Sequence, residues 1–300
     1  MFDFFAILKV AVTIIGFSVV FLGIYQWRQE RTPFWAGKKS WSAVFAGFLA
    51  NFLDTLGLGS FGVVIASDSH LKFLDERKLA GTLNYHAILP SMVQSLIFLQ
   101  IVEIDILTVI SLVFATCVGA YVSSLLVKNV PQQGIRQIMG SAFLGTAAIV
   151  FANQMGLLPL GGEAISLRGS SLIIGCVGMF FAGWLPSVGV GYYAPVQAFL
   201  FFLGMSPLAA FPIMATASAL QQPVTALAFL KRNNVERNLA ITLTLSAVFG
   251  VFIAAPLLTA VDKSTLRWLL FTMMLYNSFN IWRAYFKVKK AKAIEASASH

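Results

Sequence analysis

The sequence predicts an all-α polytopic membrane protein of two inverted repeats, with about seven spanning helices and two glycine-broken hairpins that enter the bilayer and return. Three observations carry that expectation. Of the 300 residues 58% are hydrophobic and 11% charged, with a mean hydropathy of +0.81, where an ordinary soluble domain carries about 25% charged residues. Apolar runs approaching or exceeding the roughly 20 residues that cross a bilayer fall near 4 to 27, 79 to 102, 106 to 127, 135 to 153, 207 to 230, 237 to 260 and 265 to 286. Two more apolar stretches, about 41 to 67 and 169 to 203, are interrupted by glycines and polar side chains. Broken segments in matching halves of a membrane protein point to a transporter's central site.

Taken in order, 1–40 reads as an extra N-terminal transmembrane helix and a basic loop. The opening MFDFFAILKV has no basic leader and no small-residue cleavage site, so it is expected to be retained as a helix. Residues 41–153 form the first repeat, 154–168 a linker with the Gly161–Gly162 pair, and 169–286 the second repeat. The terminal 287–300, basic and then small and polar, is expected to be disordered. Loop charge chooses between hairpins and full crossings. If both broken stretches return to the side they entered, 17 Lys and Arg residues lie on one side and 3 on the other, setting aside Lys9 inside the first helix. The positive-inside rule favours that arrangement and places the basic tail in the cytoplasm of the inner (plasma) membrane.

An internal repeat agrees. Gly119 to Arg136, GAYVSSLLVKNVPQQGIR, lies over Gly250 to Arg267, GVFIAAPLLTAVDKSTLR, at an offset of 131 without a gap. The broken stretches match at 132 (Gly57 with Gly189), and Pro90 answers Pro223 at 133. Each half is then one broken hairpin followed by three crossings, an odd number that inverts the second half relative to the first.

Several function classes are excluded or disfavoured. Cys117 and Cys176 sit inside apolar runs and make neither a disulfide framework nor a metal site. The three histidines, His70, His86 and His300, have no metal-ligand spacing, and no nucleophile motif or P-loop is present, so neither an enzyme nor a cofactor is expected. The net charge of +9 lies between apolar runs and in the tail, where anionic lipid, not nucleic acid, is the partner.

The candidate site lies in the two breaks. Where a re-entrant helix restarts, its first amides lack carbonyl partners and carry about half a positive charge with the helix dipole. Glycine lets an anion approach that backbone. Gly57, Gly59 and Ser60 would form one tip, Gly189, Gly191 and Tyr192 the other, with the Ser60 and Tyr192 hydroxyls as extra donors. Asp54, an intramembrane carboxyl, is a functional candidate by default; it either carries a coupling proton or caps the next half-helix. His86 either relays a proton from Asp54 or is held by a neighbouring carbonyl. Asn84 and the Gln221–Gln222 pair join the substrate set, although a glutamine amide could instead serve the carbonyl that Pro223 frees. The expected partner is a small anion, carried by a secondary transporter; an anion channel and a substrate-less assembly or sensor protein are the alternatives.

Four motifs, DTLGLGSFG (54 to 62), GTLNYHAILP (81 to 90), VGVGYYAP (188 to 195) and SPLAAFPIM (206 to 214), resemble in order and spacing the TauE/SafE (TSUP) family of sulfite-exporter-like permeases. The resemblance covers roughly 41 to 286. It implies movement of sulfite, organosulfonates or related sulfur-containing or carboxylate anions; with Asp54 as the coupling group, proton-coupled export is expected. Many members carry a longer glycine run where this chain has Gly57-Leu58-Gly59-Ser60.

Overall fold

Inside a bilayer every backbone polar group must find a partner within the protein, which leaves helices as the default for an apolar chain. The computed structural model describes residues 4–56, 58–101, 104–157, 162–257 and 263–298. Within them the regular structure is helical apart from one isolated bridge between Ala164 and Met205. The helices are α1 (Phe4–Glu30), α2 (Lys38–Thr55), α3 (Ser60–Leu71), α4 (Leu79–His86), α5 (Ile88–Ile101), α6 (Ile106–Leu126), α7 (Gln132–Gln154), α8 (Gly169–Ala182), α9 (Tyr193–Phe202), α10 (Pro207–Leu230), α11 (Arg237–Ala254) and α12 (Lys263–Ala298). Among the described residues six helical stretches are long and apolar enough to cross a membrane: Phe4–Glu30, Ile106–Asn129, Gln133–Gln154, Gly169–Val188, Ala209–Leu230 and Arg237–Leu257. The chain is therefore an all-α, multi-pass membrane protein.

Bonds between loops sort the helix ends onto two faces. On one, the Asp75 amide donates to Glu236 at 2.9 Å, Arg136 forks onto Glu76 at 2.6 Å, Arg232 donates to the Ser124 carbonyl at 2.7 Å, and Arg237 pairs with Glu30. On the other, Arg168 pairs with Asp105 at 2.6 Å, the Gly162 amide donates to Met205 at 3.0 Å, the Ser206 amide donates to Ala164 at 2.9 Å, and Gln154 donates to Ser264 at 2.9 Å. Both arms of the first hairpin, α2 and α3, thus open on the basic face that holds Glu30, Asp75 and Glu236. Both arms of the second, α8 and α9, open on the opposite face.

The two broken stretches are hairpins that return, entering from opposite sides. Gly169–Val188 has the length and apolarity of a span, yet α8 turns at Ala182 and α9 comes back to Met205. Conversely, two crossings that are not among those six come from the broken pair α4–α5 and from α12, whose Tyr285 accepts from Gln137 at the start of α7 (2.9 Å). Crossings by α1, α4–α5, α6, α7, α10, α11 and α12 match the seven expected from the sequence.

Two expectations need correction. The run near 79 to 102 is not one helix but breaks at Ala87, because Pro90 has no amide hydrogen and its ring crowds the carbonyl one turn back, at His86. The tail expected to be disordered continues α12 to Ala298. Its Ala and Lys residues are good helix formers, and extending an existing helix avoids the cost of nucleation.

Close packing reproduces the repeat. A Cβ on Gly119 of α6 would lie 1.9 Å from the Phe180 carbonyl oxygen of α8, and one on Gly250 of α11 would lie 2.5 Å from that of Phe48 of α2. These glycines are the pair aligned by the 131-residue offset. The facing helices answer with glycines of their own: Gly183 against the Thr116 carbonyl, Gly47 against that of Leu243. Glycine lets the helix backbones touch, and without a hydrophobic force between helices in lipid such van der Waals fit holds them. α1, outside the repeat, docks across it; Tyr85 of α4 donates to the Val20 carbonyl at 2.7 Å.

On the far face Asp105 caps α6, accepting from the Thr108 amide at 2.9 Å. Desolvation works against its charge, but the Thr108 bonds and the Arg168 guanidinium outweigh it and hold the carboxyl below the usual carboxylate range. Its share of stability is complete above the ordinary value near 3.9 and is lost only as pH falls through the lowered one.

Single cysteines at the exposed positions Lys72 and Lys128 should react with an impermeant reagent from the same side of the membrane, and one at Glu163 from the other. Labelling of position 72 from the side of 163 would mean that the first broken stretch crosses fully.

Candidate functional site

The tips of the two hairpins meet. A cavity of about 10 Å³, lined by Asp54, Gly59, Ser60 and Phe61 from the first hairpin and Pro186, Gly191, Tyr192 and Tyr193 from the second, also takes in Gln222 of α10. It has room for about one water. In this conformation the tips are closed on each other.

The first tip is organised by Asp54, buried at the end of α2. Its Oδ1 accepts from the Ser60 amide at 2.7 Å, and its Oδ2 accepts from Gln94 Nε2 of α5 at 2.9 Å. The carboxyl therefore caps α3 across the break, from six residues upstream. Gly59, the residue before α3, holds φ +82° with open space where a side chain would be. Gly57 lies outside the described residues.

Gln94 extends the network to the second tip. Its Nε2 also donates to Thr55 Oγ1 at 3.1 Å, and its Oε1 accepts from the Tyr193 hydroxyl at 3.1 Å. Thr55 spends its own proton on the Asn51 carbonyl at 2.8 Å, so both partners on the Nε2 side are acceptors and the amide orientation follows. One side chain thus joins the carboxyl of the first hairpin to the phenol of the second.

The second tip is tied from the other direction. Asn84 of α4 donates to the Pro186 carbonyl at 2.7 Å and to the Ala80 carbonyl at 2.8 Å, while its own Oδ1 is buried without a partner among the described residues. Ser187 pairs with Ser123 of α6 at 2.7 Å. Gly189 holds φ +83°, with the Met139 methyl 3.2 Å from where a Cβ would stand; Gly191 faces the Cβ of Phe61 at 3.5 Å.

Several roles read from the sequence change. The Tyr192 hydroxyl is not directed to a ligand but donates to the Met214 carbonyl of α10; the broken backbone beside it brings the ring against that helix. The Ser60 amide, expected to face an anion, is held by Asp54. His86 is fully buried, with Nδ1 at 2.6 Å from the Leu83 carbonyl and Nε2 at 3.4 Å from Asn51 Nδ2. A carbonyl only accepts, so Nδ1 carries the proton and His86 sits as a neutral ring held by its own helix, across Phe61 from the tip.

The glutamine pair divides. Gln222 Oε1 accepts from Ser91 at 2.9 Å and the residue lines the cavity, whereas both amide atoms of the fully buried Gln221 have no partner among the described residues. Neither amide bonds the carbonyl that Pro223 frees. Gln94 and Tyr193 escaped the sequence reading, although a lone glutamine in the apolar run ILPSMVQSLIFL and the second of two adjacent tyrosines were visible signals.

The tips are electrostatically unequal. An anion at α3 meets a carboxyl that already holds its first amide; at α9 the residue equivalent to Asp54 by the 132 offset is Pro186, so no side chain there competes. Proton uptake by Asp54 removes the repulsion and weakens the cap, a charge-assisted bond worth about 1.5–3 kcal/mol. Comparison with family models, curated proteins and solved structures finds no match for this chain.

Substitution tests the backbone geometry. Gly59→Ala and Gly189→Ala should each cost about 1–3 kcal/mol through positive φ, while Gly191→Ala, which meets only ordinary contact, should stay within about 0.5 kcal/mol. Equilibrium unfolding of the purified variants reads the difference, and equal losses at all three would show that φ is not the constraint.

Proposed function

We propose that the chain is a secondary transporter of a small anion, driven by protons through Asp54, and a relative of the TauE/SafE permeases that its motifs resemble. The observation that carries the reading is the meeting of two half-helix N-termini, on hairpins entered from opposite faces, at one buried cavity beside a lone carboxyl. Helix N-termini present positive potential and unpaired amides to an anion without a formal positive charge that would hold it too tightly. Hairpins related by an inverted repeat supply the two gates that alternating access needs. The remaining cavity groups are amides and hydroxyls, suited to hydrogen bonding an oxyanion and to passing a proton, not to covalent chemistry.

The basic face, with its 17 Lys and Arg residues, is read as cytoplasmic and the membrane as the inner (plasma) membrane. The substrate class is sulfite, a short organosulfonate or a small carboxylate. Loading such an anion requires the tips to part, because the present cavity admits about one water.

Detergent-purified protein should be stabilised by one of these anions and not by chloride; a ligand at a hundred times its dissociation constant adds about 2.7 kcal/mol. In proteoliposomes the stabilising anion should accumulate against its gradient when a pH gradient is imposed. Asp54→Asn should retain exchange of the anion while losing that accumulation. Accumulation at the wild-type level in Asp54→Asn would reduce Asp54 to a helix cap, and flux without uphill accumulation in the wild type would make the protein a channel.

A further inference from the structure

We infer that Gln94 is a reversible amide relay through which proton occupancy of Asp54 sets the direction of the Tyr193 hydroxyl on the opposite hairpin. The inference rests on the reading of the cavity as a proton-coupled anion site. It concerns a positioning residue that touches neither gate's backbone.

In the structure Gln94 Nε2 donates to Asp54 Oδ2 and Oε1 accepts from Tyr193, which spends that hydroxyl proton on the amide. This pattern is self-consistent with an ionised Asp54, which accepts at both oxygens and donates at neither. When Asp54 takes a proton on Oδ2, the carboxyl becomes a donor at that position and faces the donating Nε2. Rotation of the Gln94 amide by half a turn relieves the conflict: Oε1 accepts from the Asp54 hydroxyl, and Nε2 turns to the Tyr193 oxygen. Thr55 Oγ1 keeps a bond to the amide by turning its proton from the Asn51 carbonyl to Oε1, so the rotation costs one bond within α2. Tyr193 is then an acceptor from Gln94, and its proton must point elsewhere.

It can point into the cavity, which Tyr193 lines with Gly59, Ser60, Gly191 and Gln222, or to the Ser218 hydroxyl of α10, which competes with an anion for that proton. Protonation would therefore remove a negative charge from one tip and add an O–H donor at the other, with no net change in the number of donors on the relay. An anion gains on both counts, so anion and proton occupy the site together. By linkage, the anion raises proton affinity by the factor by which the proton raises anion affinity.

The relay is insulated. The titratable groups set against Asp54 are Tyr192 and Tyr193 of the second hairpin, with His86 on α4 beyond Phe61. Tyr192 is committed to the Met214 carbonyl and both ring nitrogens of His86 are engaged. Among the described residues, the hydrogen bonds that lead from Asp54 to the second hairpin run through Gln94.

Infrared difference spectra between about pH 4 and about pH 9 test this on purified protein with no anion present, so the outcome does not depend on whether an anion binds. The wild type should show a protonated-carboxyl band that is absent in Asp54→Asn, accompanied by a tyrosine band that is absent in Tyr193→Phe. In Gln94→Met the carboxyl band should persist and the Tyr193 band should vanish. A Tyr193 band that survives Gln94→Met, or a wild-type carboxyl band without one, overturns the relay, as does the absence of any Asp54 band over that range. Should Gln94→Met fail to give monodisperse protein, Tyr193→Phe decides: the Asp54 band should move although the two residues share no direct bond, and an unmoved band overturns the relay.

Discussion

A helix that stops in the middle of a bilayer leaves amides and carbonyls where no water can reach them, and the arrangement around the cavity follows from that debt. Each unpaired group would cost several kcal/mol in hydrocarbon. At the first tip the debt is met by Asp54, which takes the Ser60 amide. At the second it is met by Asn84 on the Pro186 carbonyl. Asn84 reaches the second tip from α4, and Gln94 of α5 holds Asp54 from outside the first hairpin, so the breaks are also the points at which the hairpins are fastened to the scaffold. A carboxyl is the strongest acceptor available for an amide and the only one of these groups that changes charge with a proton. Its place at the break makes the fastening itself responsive.

Much of this was legible in the sequence, and for a physical reason. Span length, glycine breaks and loop charge are set by the bilayer, which acts on composition and not on contacts, so the hairpins and their opposite entries could be read from residue counts. The positions of Asp54, Gly59 and Gly191 were legible because a polar or flexible residue inside an apolar run is conspicuous. What could not be read was pairing across distance. Gln94 lies 40 residues from Asp54 and 99 from Tyr193, and nothing local distinguishes it from a glutamine that solvates its own helix. Tyr192 and Tyr193 are adjacent and alike, yet a half-turn of backbone sends one to Met214 and the other to Gln94. The helical tail was misread because composition suited to solvent was taken for disorder, when a helix already formed simply propagates into it.

The repeat is shared in element order and asymmetric in chemistry. At the 132 and 133 offsets Asp54 corresponds to Pro186, His86 to Ala219 and Gln94 to Leu227, while Gln222 corresponds to Leu89. The intramembrane carboxyl and the buried histidine therefore belong to the first half, and the second supplies a tip without a carboxyl. The repeated scaffold brings two tips to one cavity, and a few interior positions make one tip acidic and the other not.

The glycine contacts between α6 and α8 and between α2 and α11 divide the molecule differently from its internal repeat. α2 belongs to the first repeat but is welded, backbone to backbone, to α11 of the second; α8 of the second is welded in the same way to α6 of the first. Each repeat has lent its hairpin to the other. Sliding either pair would drive a carbonyl into a helix that has no side chain to yield, so each pair is a single mechanical part. If the tips part as the proposed transport requires, the rigid units would be α2 with α11 and α6 with α8, each a hybrid of both repeats, and the parting line would run between hybrids and not between the two copies.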